Sequence, residues 1–173
     1  LIDGVLTLPG IAALILGTGI RVSECAGVDL SDLNLKDAVL DVTRKGGQKD
    51  SVPIAEWTLP YMKRYKGIRN ERYHADSKQV AFFLTQWHGQ TRRITTNAIE
   101  KMINKYSAAF GHPLTPHKLR HTVASELYEV TKDQVLVAQQ LGQKGTSATD
   151  LYTHVDQKKQ RAALNEISKE NHD

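Results

Sequence analysis

The sequence predicts a mainly α-helical fold with a small antiparallel β-sheet at one edge, an α+β arrangement. Two observations carry this. Apolar residues recur at helical spacing along most of the chain, bracketed by helix-start and helix-stop residues. One stretch alone, residues 38–54, alternates around a glycine turn in the manner of paired strands.

The elements follow in order. The run PGIAALILG, residues 9–17, is apolar at nearly every position and suits a short buried helix with Pro9 at its first position. TGIRVSECAGV then reads as a turn entering a second short helix. In residues 38–54, AVLDVT forms a strand, RKGGQKD a turn with two glycines and SVPI the return strand, which makes a β-hairpin with a basic tip. Residues 56–69 return to helical spacing through Leu59, Met62 and Tyr65, with Tyr61 beside them, and VAFFLT at 80–85 reads as a brief strand. Residues 95–110 place Ile99, Met102, Ile103 and Tyr106 on one helical face, ended by Gly111, His112 and Pro113. Thr115 is an N-cap and Pro116 a first helical residue, so His117 falls in the first turn of the next helix. Residues 133–141 form a helix closed by Gly142, and residues 156–169 a final amphipathic one.

At 173 residues the chain suits one domain, 1–173. Its 40% hydrophobic and 24% charged residues, with no apolar run near twenty, exclude disorder and a membrane-spanning helix. The single Cys25 excludes an internal disulfide and a cysteine-based zinc site. A reducing, cytoplasmic setting is expected, with no membrane partner. A net charge of +4 permits a polyanionic partner, since lysine and arginine displace counterions from phosphates. The start at Leu1, entering an apolar segment within a few residues, reads as a fragment of something longer.

The most informative segment is residues 115–121, TPHKLRH. Helical geometry puts His117, Arg120 and His121 on one face, beside a helix N-terminus whose free N–H groups favour a phosphate. Taken alone, the segment is better read as an ordinary surface helix with a histidine near its cap. His117 and His121 lie four apart, as zinc ligands can, but the zinc-protease pattern needs glutamate after the first histidine and Lys118 stands there. No metal is expected.

Two further segments flank this helix: TGIRVSECAGVDLSDLNL at 18–35 and LGQKGTSATDLYTHVD at 141–156. With them the chain resembles, over residues 10–165, the catalytic domain of the tyrosine recombinases, the family of phage integrases and Xer-type recombinases. The resemblance implies the tyrosine recombinase catalytic-domain fold. It also implies that the core-binding region preceding this domain in family members is absent here.

The resemblance also assigns roles. Arg21, in TGIRVSE, takes the place of the first catalytic arginine, and Glu24 the acidic position that buttresses it. Lys45 stands seven residues before Val52, where the family has its hairpin lysine; Lys49 is the competing candidate. The H-x-x-R signature makes His117 the general acid/base and Arg120 the second arginine. Tyr152, in ATDLYTH, is the nucleophile, while Tyr61, Tyr65, Tyr106 and Tyr128 fit core or groove walls. Gln143 occupies the position where the family has histidine or tryptophan; its amide can donate to a phosphate but cannot become cationic. Arg44, Lys49, Lys118 and Lys144 are implied as DNA-facing cations, with His121 and His154 in supporting positions.

The implied reaction is site-specific cutting and rejoining of double-stranded DNA through a 3′-phosphotyrosyl link, in a phage or other mobile element, without cofactor. Four protomers would act together on DNA and separate into monomers without it. A regulatory DNA-binding module without cleavage and a type IB topoisomerase-like enzyme are the alternatives.

Overall fold

Helix α1 (Gly4–Thr18) runs through the middle of the core, with Ile11, Leu14 and Ile15 fully buried where it meets the helices described below. The structure, a computed structural model, describes residues 4–143 and 157–170. Helix α1 starts five residues earlier than the sequence predicts, and Pro9 lies inside it. A proline so near a helix start forfeits a single backbone bond, so the preceding turn still forms.

After the turn at Gly19 comes the short α2 (Val22–Gly27), whose Cys25 is fully buried. Strands β1 (Leu33–Asn34), β2 (Val39–Thr43) and β3 (Lys49–Pro53) then make an antiparallel sheet in that order. Its register runs from Val39 opposite Pro53 to Thr43 opposite Lys49. The period of two shows in burial: Leu40, Val42 and Val52 face the core while Asp41 and Thr43 face solvent. This is the predicted hairpin.

A 3₁₀ turn (Glu56–Thr58) leads into α3 (Leu59–Tyr73), which buries Met62, Tyr65, Arg69 and Tyr73. The fully buried Arg69 donates to the carbonyls of Gln79, Ala81 and Phe82, so a charged side chain fixes the segment that follows. That segment departs from the prediction. Ala81, Phe82 and Phe83 are buried, but regular pairing begins only at β4 (Leu84–Trp87), which meets β5 (Gln90–Arg93) in a second hairpin. Among the described residues the fold is therefore mainly α with two small antiparallel sheets.

Helix α4 (Thr96–Ala109) is capped by Thr95, whose hydroxyl accepts from the Ala98 N–H. Helix α5 (Pro116–Thr131) starts as predicted, with the Thr115 hydroxyl accepting from the Lys118 N–H. Helix α6 (Gln134–Leu141) is capped by Asp133, which accepts from the N–H groups of Val135 and Leu136 at 3.0 Å each. These bonds, first that from Leu136, with Lys159 adding, hold the Asp133 carboxyl below its usual range.

Helix α7 (Gln157–Glu170) packs on its own chain. Ala163 and Leu164 join Val123, Leu127, Leu136 and Leu141 in a second apolar cluster. Burying Leu164 contributes roughly 1.5–3 kcal/mol. Lys159 bonds Asp133 at 3.1 Å, Arg161 donates to the Asp37 carbonyl and the Asn165 amide oxygen accepts from the Glu56 N–H. No helix among the described residues is long and apolar enough to cross a membrane.

Candidate active site

Among the described residues, three chain segments meet beneath the cleft: the turn after α1, the start of α5 and the end of α6. Gly19 makes the meeting possible. Its φ is +72°, and a Cβ there would stand 2.5 Å from Leu141 Cδ2 and 3.2 Å from Val123 Cγ1. Only glycine lets the turn lie this close to α5 and α6 while holding that backbone shape. Arg120, one turn into α5, then reaches across to donate to the Gly19 carbonyl at 2.7 Å.

Glu24 organises the other arginine. It is 7% exposed, accepts from the Arg21 backbone N–H at 2.7 Å and pairs with the Arg21 guanidinium at 3.0 Å. The residue spacing explains this: a glutamate three positions after the residue preceding a helix reaches back to that residue's N–H, half of a capping box. The same carboxylate therefore caps α2 and aims Arg21.

The end of α6 supplies the third set of contacts. A helix C-terminus leaves carbonyls without intrahelical partners, and its dipole is negative there. Gly142 and Gln143 donate to Gln139 and Ala138. The remaining carbonyls go to three arginines. Arg44 donates to Gln140 at 3.3 Å and to Leu141 at 3.4 Å, Arg120 to Leu141 at 2.8 Å and Arg21 to Gly142 at 3.4 Å.

Above this cluster opens a cleft of about 940 Å³, lined among others by Arg21, His117, Arg120 and Gln143, with Asn97 and Lys101 on the opposite wall. Arg120 uses two of its five N–H donors on backbone carbonyls, which leaves donors for a ligand. Burial, then the nearby Arg21 charge, pulls the Arg120 pKa down to about 10; Arg44 adds to this and Glu24 opposes it. Arg120 is still a cation at neutral pH. The cleft lining carries Arg21, Lys101, Lys105 and Arg120 against a single carboxylate, Glu100, a balance that favours a bound phosphate.

Arg21, His117, Arg120 and Gln143 all line this cleft, with Glu24 beneath Arg21. Lys45 and Lys49 are exposed on the hairpin and Lys118 on α5, none of them lining the cleft. His121, one turn beyond His117, is exposed, with Nδ1 3.5 Å from the Ser125 hydroxyl. Arg44 corrects its expected place among surface cations: it is 6% exposed, and its guanidinium is taken up by Glu24, Asp50 and the α6 carbonyls. Lys144, Tyr152 and His154 lie outside the described residues. The α4 wall has no signature in the sequence. Asn97, Lys101 and Asn104 recur at helical spacing opposite Ile99 and Ile103, a polar stripe indistinguishable by pattern from any solvated helix face.

A mainly helical domain that brings two arginines from separate motifs to a cleft at a helix N-terminus, beside a lysine-tipped hairpin, has the catalytic-domain fold of the tyrosine recombinases. The chain belongs to the phage integrase family, whose model matches residues 6–159. It is 52% identical over 157 residues to a tyrosine recombinase XerS of Streptococcus thermophilus, covering 91% of this chain and 44% of that protein. It is 50% identical, with the same coverage, to tyrosine recombinase XerS of Streptococcus pneumoniae. The chain thus spans less than half the length of these relatives. The crystal structure of XerA recombinase matches all of this chain and 64% of its own, with a TM-score of 0.67 at 25% identity. An integrase from mycobacterium phage Brujita matches 93% of this chain and 52% of its own, with a TM-score of 0.70 at 17% identity, a likeness of fold.

Proposed function

We propose that the chain carries out site-specific DNA cleavage and rejoining, with Tyr152 as nucleophile. One observation carries the reading most: Arg21 and Arg120, from motifs far apart in sequence, line one cleft with His117 at the start of α5. Attack of a phenol on a phosphodiester builds negative charge on the non-bridging oxygens, and two guanidinium forks aimed there stabilise it. Tyrosine ionises near pH 10, so Tyr152 must lose its proton as it attacks, and His117 accepts it. The bond from phosphorus to the 5′ oxygen breaks as the tyrosyl bond forms. Lys45 then gives the departing oxygen its proton. The phosphotyrosyl link conserves the bond energy, so a 5′ hydroxyl from another strand reverses the step.

Double-stranded DNA is the substrate in this reading, and four protomers on two duplexes are the unit that exchanges strands. The sequence alone leans toward a mobile-element integrase. Half-identity to proteins named XerS supports instead a recombinase of Xer type.

The test is covalent trapping. A duplex selected from a random pool and nicked near the cleavage point lets the short 5′-hydroxyl fragment diffuse away, so the adduct accumulates. Peptide mapping is expected to find the nucleotide on the peptide carrying Tyr152. An adduct on another residue would move the nucleophile, and binding without any adduct would favour a regulatory module. Relaxation of supercoils without pairing of two sites would point to a topoisomerase-like enzyme.

Gln143 sets a second expectation. It lines the cleft, and an amide donates to a phosphate more weakly than a cationic imidazole. Gln143→His is therefore expected to speed single-turnover cleavage by roughly tenfold, the difference between a neutral and a charge-assisted hydrogen bond. An unchanged rate would show that this contact does not limit the step.

A further inference from the structure

We propose that Arg44 is a positioning residue that anchors the hairpin tip carrying its neighbour Lys45 and ties that tip to the arginine clamp, so that Lys45 is held within reach of the reacting phosphate. The inference rests on the phosphotyrosyl reading above.

Arg44 is the buried root of the hairpin tip. Its side chain is 5% exposed, and all three guanidine nitrogens donate. Nε and Nη2 bond Asp50 across the hairpin at 3.2 and 3.0 Å, Nη1 bonds Glu24 at 3.2 Å, and Nη1 and Nη2 reach the Leu141 and Gln140 carbonyls. Two of these partners also hold the clamp. Glu24 is the carboxylate that aims Arg21, and the Leu141 carbonyl is the one that receives Arg120. One guanidinium thus touches the immediate support of each catalytic arginine.

Beyond Arg44 the tip has little to hold it. Gln48 and Lys49 are exposed, and a Cβ added at Gly46 or Gly47 would meet nothing within 4 Å. The turn is closed by backbone bonds that both involve Arg44, from its N–H to Gln48 at 2.7 Å and from the Gly47 N–H to its carbonyl at 3.0 Å. The fit is tight on the other side. A Cβ at Gly142 would fall 2.4 Å from Arg44 Cζ, so the guanidinium occupies the space that a glycine leaves at the end of α6. A lysine could not reproduce this, since one ammonium cannot reach two carboxylates and two carbonyls at once.

Glu24 keeps its bonds to the Arg21 N–H and guanidinium, and the Leu141 carbonyl its bond to Arg120, when Arg44 is removed, so the loss falls on the hairpin and on one event: protonation of the departing 5′ oxygen. A substrate with sulfur at that bridging position needs no proton there, because a thiolate leaves unaided where an alkoxide does not. The experiment measures single-turnover adduct formation by the full-length natural protein on oxygen and sulfur versions of one suicide duplex. Arg44→Gln is expected to slow the oxygen substrate by at least about tenfold, part of the range general acids supply, and to approach the wild-type rate on sulfur. DNA affinity should be unchanged. Lys45→Ala should show the same split, and Arg21→Ala should be slow on both.

Asp50→Asn provides a second variant should Arg44→Gln fail to fold. It loosens the hairpin end of Arg44 and leaves Glu24 in place, and its smaller defect should also vanish on sulfur. Equal slowing on both substrates, or no slowing on either, would overturn the proposal while leaving the phosphotyrosyl reading intact. A wild-type protein that forms no adduct with either substrate would overturn both.

Discussion

Arg120→Ala is expected to lower the single-turnover cleavage rate by at least about 10²-fold, the usual loss when one donor to a developing oxyanion is removed. The geometry gives the reason. Arg120 is held from two sides, by the Gly19 carbonyl at 2.7 Å and the Leu141 carbonyl at 2.8 Å, so its remaining donors reach the cleft already oriented. Its charge is also costly to the free protein. A base whose folded pKa lies below its unfolded one destabilises the fold while protonated; that cost is fully present below about pH 10 and is relieved as pH rises above it. A phosphate bound in the cleft would offset part of that cost at neutral pH through its charge. Binding should therefore weaken along with cleavage, and the slope of log affinity against log salt should fall by about one. Single-turnover trapping and a salt series on the variant check both parts. A near-normal cleavage rate would mean that the phosphate lies elsewhere.

What the sequence reveals and what it hides divide along the range of the interactions. The start of α5 is legible because Thr115 and Pro116 act within one turn, and the end of α6 because Gly142 takes the left-handed conformation that closes a helix. The first hairpin is legible from its alternation. The second is not. Its turn is His88-Gly89, both at positive φ, and histidine is not among the residues that commonly announce such a turn. The apolar run before it is buried without being a strand, because Arg69 takes up the carbonyls of Gln79, Ala81 and Phe82 that a ladder would otherwise use.

Arg44 shows the same limit at the site. A cation among lysines and glycines at a hairpin tip looks like a solvated charge, and only the approach of the α6 carbonyls, nearly a hundred positions along the chain, turns it into a buried one. The four cleft residues Arg21, His117, Arg120 and Gln143 were within reach because a shared motif order carries long-range information that local pattern lacks. The α4 wall, with Asn97 and Lys101, belongs to no such motif.

Gly19→Ala is expected to cost about 2–5 kcal/mol, combining ~1–2 kcal/mol for a left-handed backbone at a residue with a Cβ and ~1–3 kcal/mol for overpacking. The second contribution is real here because the new methyl group would meet Leu141 Cδ2 at 2.5 Å, inside a cluster where Leu141 and Val123 are both buried. Thermal unfolding should shift down by roughly 4–20 °C. Gly67→Ala provides the control: Gly67 lies within α3, a Cβ there meets nothing within 4 Å, and the change should stabilise the fold by up to about 1 kcal/mol. The two alanines also separate stability from chemistry. At a temperature where both variants are folded, Gly19→Ala should still cleave slowly, because moving the turn moves the carbonyl that orients Arg120, whereas Gly67→Ala should cleave normally. A Gly19→Ala protein as stable and as active as wild type would mean that the turn does not press against α6, and the support assigned to Arg120 would fail with it.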